Sequence, residues 1–203
     1  MADAEQTIVE AYPASTVLMV RDGGQGLEVF MVVRHRKIDF ASGALVFPGG
    51  KVDPEDSDAA LIARCAGADG LDASAMALRI AAIRETFEEA GVLLARRRGE
   101  VDLVSGADFD AISAKYREAL HSSAIGMAEI AEAEDLELAP DLLAPFAHWI
   151  TPVQVRRRFD THFFVIPAPT SQTALHDGSE SVDSVWIRPA DAVAEAEAGQ
   201  RSV

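Results

Sequence analysis

Residues 84–92 read Arg-Glu-Thr-Phe-Glu-Glu-Ala-Gly-Val, and the acids Glu85, Glu88 and Glu89 stand at spacings of three and four. On a helix, that spacing gathers the carboxylates on one patch. Gly91 is the expected C-terminal stop, so the patch lies at the negative end of the helix dipole, where acids are disfavoured and cations favoured. Mutually repelling acids at that end can hold a divalent ion, because hard cations such as Mg2+ and Mn2+ take carboxylate and carbonyl oxygens. The plainer alternative is a solvated helix face on which Arg84 pairs with Glu88, worth roughly a few tenths of a kcal/mol.

A second group precedes the acidic run. Gly49 and Gly50 follow Phe47-Pro48, and their amides and carbonyls are candidates for phosphate or metal contact. Gly50 is the better metal candidate, since its carbonyl supplies a neutral oxygen; taken alone, the pair reads as a turn. Asp56 supports this loop or caps the following helix. Arg34, Arg36, Arg157 and Arg158 are candidates to receive substrate phosphates, although solubility of an acidic surface accounts for them equally well. His35, His148 and His162 show no metal-ligand spacing and read as packing or surface residues. Phe40, Trp149 and Phe159 could stack on a base, but aromatic residues beside strands are more often core.

The elements that must position these groups are legible from periodicity. Strand-like runs at 16–21 and 27–34 flank Asp22-Gly23-Gly24-Gln25-Gly26, which predicts a β-hairpin. Residues 43–52 predict a short strand entering a tight loop, and Leu61 and Ile62 a short helix. Met76, Ile80, Ile83, Phe87 and Ala90 make one apolar stripe, with Ser74 as the expected N-cap. Another helix is expected at 109–120, and the acidic stretch 128–138 reads as helix or solvated connection. Strands follow at 147–151, 159–167 and 182–188, then a helix at 189–198 opened by proline. This order predicts a sheet covered by helices on both faces.

Composition narrows the class. The chain has 203 residues, 49% hydrophobic and 25% charged, which suits one globular domain. Its formal net charge of -15 argues against nucleic acid as the main partner. Cys65 is the only cysteine, which excludes an intramolecular disulfide and suggests a reducing compartment. No stretch approaches a membrane span, so a cytoplasmic protein with no membrane partner is expected.

Gly50, Asp56 and the run from Arg84 to Val92 together resemble the signature box of the Nudix hydrolases: Gly, five residues, Glu, seven residues, Arg-Glu-apolar-any-Glu-Glu-any-Gly-apolar. Asp56 stands where Glu is usual and Thr86 where an apolar residue is usual. The interval 57–83 is about twenty residues longer than the family's. A branch that includes peroxisomal coenzyme A diphosphatases carries an insertion here. The chain also resembles that branch in Phe47–Asp53, in Trp149-Ile150-Thr151-Pro152 and in Arg157-Arg158-Phe159-Asp160-Thr161-His162-Phe163-Phe164.

The resemblance implies an α/β (α+β) fold, a Nudix-like α/β/α sandwich with a mixed sheet between helices. It implies a single domain over 1–203, with an insertion at about 57–76 and an additional helical segment at about 106–140. It implies Mg2+ or Mn2+ bound by Gly50, Glu85, Glu88 and Glu89, with Arg84 orienting the carboxylates. The catalytic base would be a box glutamate such as Glu85 or the late-loop Glu180, and Gly49, Arg34, Arg36, Arg157 and Arg158 would contact substrate. The substrate would be a small-molecule nucleoside diphosphate derivative, coenzyme A or acyl-coenzyme A first. ADP-ribose, dinucleoside polyphosphates and nucleotide sugars are alternatives, as is a non-hydrolytic nucleotide-binding regulator. The resemblance also leaves room for a homodimer.

Overall fold

A computed structural model describes residues 9–35, 43–67, 69–178 and 181–202. Strand β1 (Tyr12–Gly23) turns at Gly23–Gly26 into β2 (Gly26–Arg34), the expected hairpin with longer arms. Two short strands follow, β3 (Leu45–Val46) and β4 (Gly49–Lys51). The glycine pair therefore belongs to a strand and not to the loop the sequence suggested. A 3-10 turn at Pro54–Ser57 and α1 (Ala59–Ile62) lead to the long helix α2 (Ala73–Ala90).

The second half of the chain contributes β5 (Ala95–Arg97), α3 (Gly106–His121), α4 (Met127–Ala133) and β6 (Leu136–Leu138). After these come β7 (Ala144–Ile150), β8 (Phe159–Pro167), β9 (Ser181–Ile187) and α5 (Pro189–Glu197). The acidic stretch left open by sequence is thus a short helix followed by a strand, which pairs with β5 in a separate small sheet.

The main sheet runs β3-β2-β1-β8-β7, with β4 paired to β1 and β9 to β2. One edge of β1 pairs in parallel with β8 from Tyr12↔Phe159 to Val20↔Pro167. Its other edge is divided: residues 20–23 pair with β2, and residues 14–16 pair with β4. This division admits Gly49 and Gly50 to the sheet directly beside β1.

Alternation along the strands produces two cores. Val17, Met19, Phe30, Val32, Phe164 and Ile166 meet Ile80, Ile83 and Phe87 of α2 on one face. Val29, Met31, Leu45 and Ile187 meet Ala192 of α5 on the other. The expected sandwich of helices about a mixed sheet is what the chain forms. Helix α2 is buried nearly all round, because α3 and the 3-10 turn at residues 54–57 cover the sides that its single stripe would have left to water. Its N-cap is Asp72, whose side chain accepts the Ala75 amide at 2.8 Å, and not the expected Ser74.

Candidate active site

Gly91 ends α2 in the left-handed conformation, φ 63°, as its sequence position suggested. Its amide donates to the Phe87 carbonyl at 3.1 Å and that of Val92 to the Thr86 carbonyl at 3.3 Å. The last carbonyls of the helix need further donors. Arg117 of α3 supplies them, donating to the carbonyls of Glu88 at 3.0 Å and Glu89 at 3.1 Å, and to that of Leu175 at 2.7 Å. A half-buried cation thus sits where the helix dipole is negative, beside the last turn that carries the carboxylates. Thr86, polar at an apolar position of the box, is fully buried; its hydroxyl donates to the Ala82 carbonyl at 2.7 Å.

Arg84 organises the centre. Its Nε and Nη2 donate to the two oxygens of Asp56, each at 3.0 Å, and Nη2 also donates to the Lys51 carbonyl at 2.9 Å. Nη1 donates to Glu85 at 2.8 Å and to Glu88 at 3.3 Å. Asp56 also accepts the Asp53 amide at 2.8 Å, bracing the loop from the third position of the 3-10 turn; the N-cap expected of it falls instead to Asp53 for that turn and to Asp58 for α1. A shorter acid suffices here because that turn carries it to the guanidinium. Glu89 accepts the Gly49 amide at 2.9 Å, tying the end of α2 to β4.

Gly50 faces Glu85 so closely that a Cβ would lie 2.3 Å from Oε1. The glycine is therefore what lets the carboxylate sit where it does, and no left-handed backbone is involved. Burial pushes Glu85 up to about 7, with Arg84 opposing and the Glu88 charge adding to the rise. Burial also raises Glu88, against Arg84 and His121. Burial lowers the Arg84 guanidinium, but the Asp56 bond and the charges of Glu85, Asp56 and Glu88 outweigh it, and the group ends above its ordinary range. Acids held by burial against ionisation suit a hard cation that would restore their charge.

Glu85, Glu88, Glu89, Gly49, Gly50 and Arg84 line one open cavity of about 700 Å3, and Arg34 and Arg157 reach it from β2 and from the loop before β8. Arg158 does not line it. Its side chain is buried and donates to the carbonyls of Thr151, at 3.0 Å, and Val9, so it braces the loop before β8. Arg36, Phe40 and Glu180 lie outside the described residues. Trp149 is exposed, while Phe159 lines the cavity.

Sequence reasoning missed Lys51, Asp53, His121 and Thr161, and it left His35 as an ordinary residue; all five line the cavity. Lys51 follows the glycine pair directly, and that adjacency was the signal that could have found it. His121, with Nδ1 3.9 Å from Glu88, could not, because only the packing of α3 on α2 brings it there.

The matching family model is described as the NUDT19 Nudix domain and covers residues 68–200. The acyl-coenzyme A diphosphatase NUDT19 of Xenopus laevis is 26% identical over 82% of this chain and 54% of its own length. The putative nudix hydrolase 7 of Caenorhabditis elegans is 29% identical over 85% of this chain and 50% of its own. The chain thus spans about half the length of these curated relatives. A crystal structure of a NUDIX hydrolase from Alicyclobacillus acidocaldarius superposes with a TM-score of 0.77 at 28% identity, covering 97% of this chain and 88% of that one. The box from Arg84 to Val92, the divided sheet edge that brings Gly50 against Glu85 and these matches agree: the chain belongs to the Nudix hydrolases, in the coenzyme A diphosphatase-like branch marked by the NUDT19 Nudix domain.

Proposed function

We propose that this diphosphatase depends on Mg2+ or Mn2+ held by the Gly50 carbonyl and by Glu85, Glu88 and Glu89, and that coenzyme A or acyl-coenzyme A is its substrate. The observation that carries the reading is convergence: three helical acids, a glycine that makes room for one of them and two arginines from other elements share one cavity. The donor set is all oxygen, which suits Mg2+ or Mn2+ better than softer ions. Bound there, the ion would neutralise phosphate charge and lower the pKa of a water.

The chain's own groups supply the rest. Arg84, fixed by Asp56, holds Glu85 and Glu88 in place. Arg34 and Arg157 receive the non-bridging oxygens of the diphosphate, where paired N–H donors suit phosphate. Water adds to one phosphorus, the bridging P–O bond breaks, and a proton passes to the base. Coenzyme A would yield adenosine 3',5'-bisphosphate and 4'-phosphopantetheine. The name of the NUDT19 relatives supports this substrate, and the cavity volume falls in the usual range for small-molecule sites.

The test is hydrolysis by purified protein with Mg2+ or Mn2+ of a panel containing coenzyme A, ADP-ribose and a nucleotide sugar. Coenzyme A is expected to be cleaved fastest, and Glu89→Gln is expected to lose at least about a hundredfold in rate while remaining folded. Turnover without a divalent ion, or equal turnover by the variant, refutes the metal reading; preference for another diphosphate refutes the substrate. Glu180→Gln with an unchanged rate assigns the base to a glutamate of the cavity.

A further inference from the structure

On the sheet face turned away from the Phe159 and Thr161 side chains, three ligand-bearing residues meet at the edge. Strand pairing sets His148 of β7 directly opposite His162 of β8, and Asp160 lies two residues along, on the same face as His162. Sequence spacing could not show this, because the two histidines become neighbours only through the β7–β8 register. One donor atom from each of the three lies within 4.8 Å of the other two.

We propose that His148, Asp160 and His162 form a second cation site, which takes a zinc-class divalent transition metal and ties edge strand β7 to β8. Two imidazoles and one carboxylate suit zinc, cobalt or nickel, whereas the oxygen donors of Gly50, Glu85, Glu88 and Glu89 suit Mg2+ or Mn2+. Asp160 already contacts His148 Nε2, and His162 Nε2 is 3.9 Å from the same oxygen. Tetrahedral zinc, with bonds of about 2.0–2.2 Å, places its ligands about 3.4 Å apart, so both spacings lie within a small side-chain adjustment.

The imidazoles stack with centroids 4.2 Å apart and planes 23° apart, and they must open from that stack to share an ion. Their side chains are 48% and 38% exposed, which leaves room for that rotation and for water at the open positions. Arg79 stands close enough to His162 to act on it electrostatically. Arg79 itself opposes a cation; it donates to the Ala75 carbonyl at 3.2 Å and lies over the Phe164 ring, and Asp160 supplies the countercharge.

The experiment titrates chelator-stripped protein with Co2+, read by visible absorption, and with Zn2+, read by calorimetry, both in excess Mg2+ to fill the glutamate site. One ion per chain is expected. Its Kd should weaken at least tenfold in His148→Ala and in His162→Gln, and should persist in Glu88→Gln/Glu89→Gln. Equal binding by the histidine variants, binding lost only with the glutamates, or no binding in Mg2+ overturns the proposal. If a histidine variant unfolds, the wild-type imidazole NMR spectrum decides: Zn2+ must shift the His148 and His162 resonances, and unmoved resonances overturn it.

Discussion

Gly50→Ala separates the chemistry of the site from the stability of the fold. The added methyl would lie 2.3 Å from Glu85 Oε1, 2.5 Å from Cδ and 2.7 Å from Oε2. Ordinary contact is about 3.5 Å, so the carboxylate must retreat by about 1 Å. It is the far end of a flexible side chain and can move, at the cost of its 2.8 Å bond from Arg84, which is worth about 1.5–3 kcal/mol. Restricting the unfolded chain returns about 0.4–1 kcal/mol. Net destabilisation is therefore about 1–2 kcal/mol, while a metal ligand displaced by about 1 Å costs about a hundredfold in rate.

Gly49→Ala should behave in the opposite way. Its methyl would meet the Ser15 carbonyl at 2.3 Å and Thr16 Cα at 2.7 Å, which is backbone of the central strand β1. Neither atom can retreat without breaking strand pairing, and a loss of about 3 kcal/mol is expected. Urea unfolding of both variants, initial hydrolysis rates with Mg2+ and Mn2+ affinity by electron paramagnetic resonance test the pair. A Gly50→Ala protein with wild-type rate and metal affinity would refute the placement of Glu85 at the metal. One as unstable as Gly49→Ala would refute the claim that the carboxylate can yield.

Other outcomes follow from the same contacts. Asp56→Ala takes the bidentate partner from the buried Arg84, leaving it hydrogen bonds to Glu85, Glu88 and the Lys51 carbonyl, and should cost about 2–4 kcal/mol in urea unfolding, with Asp56→Asn costing less; a loss under about 1 kcal/mol contradicts the bidentate pair. Glu85 is raised to about 7 without metal, so the folded protein holds its proton more tightly than the unfolded chain. Metal-free stability should therefore fall as pH rises from about 4.5 to 7, and Mg2+ affinity should weaken up to about tenfold per unit below 7. Calorimetry at pH 5.5, 6.5 and 7.5 checks both signs. Arg117→Ala removes three hydrogen bonds to carbonyls and should lower stability by about 1.5–3 kcal/mol and weaken Mn2+ binding; unchanged Mn2+ affinity would show that it does not position the glutamates.

The run Arg84–Val92 carries its meaning locally. Spacings of three and four and a terminal glycine set the relative positions of Glu85, Glu88 and Glu89 once a helix forms, whatever surrounds it. Hairpin and strand periodicity likewise exposed β1, β2, β8 and β9, because alternate burial leaves a mark on each segment separately. Arg84 and Asp56 were legible as members of one box, but their bidentate contact bridges residues 57–83 and depends on the 3-10 turn at Pro54–Ser57.

Contacts between distant segments left no such mark. Arg158 looked like its neighbour Arg157, yet one is held by the carbonyls of Thr151 and Val9 while the other reaches the cavity. His121 and Arg117 meet the glutamates only where α3 crosses the end of α2, and His148 finds His162 only through strand register. Local spacing was enough for the acids because a helix is its own ruler. The partners that buffer, brace and complete them come from other elements, and their distances exist only once the sheet and its helices have packed.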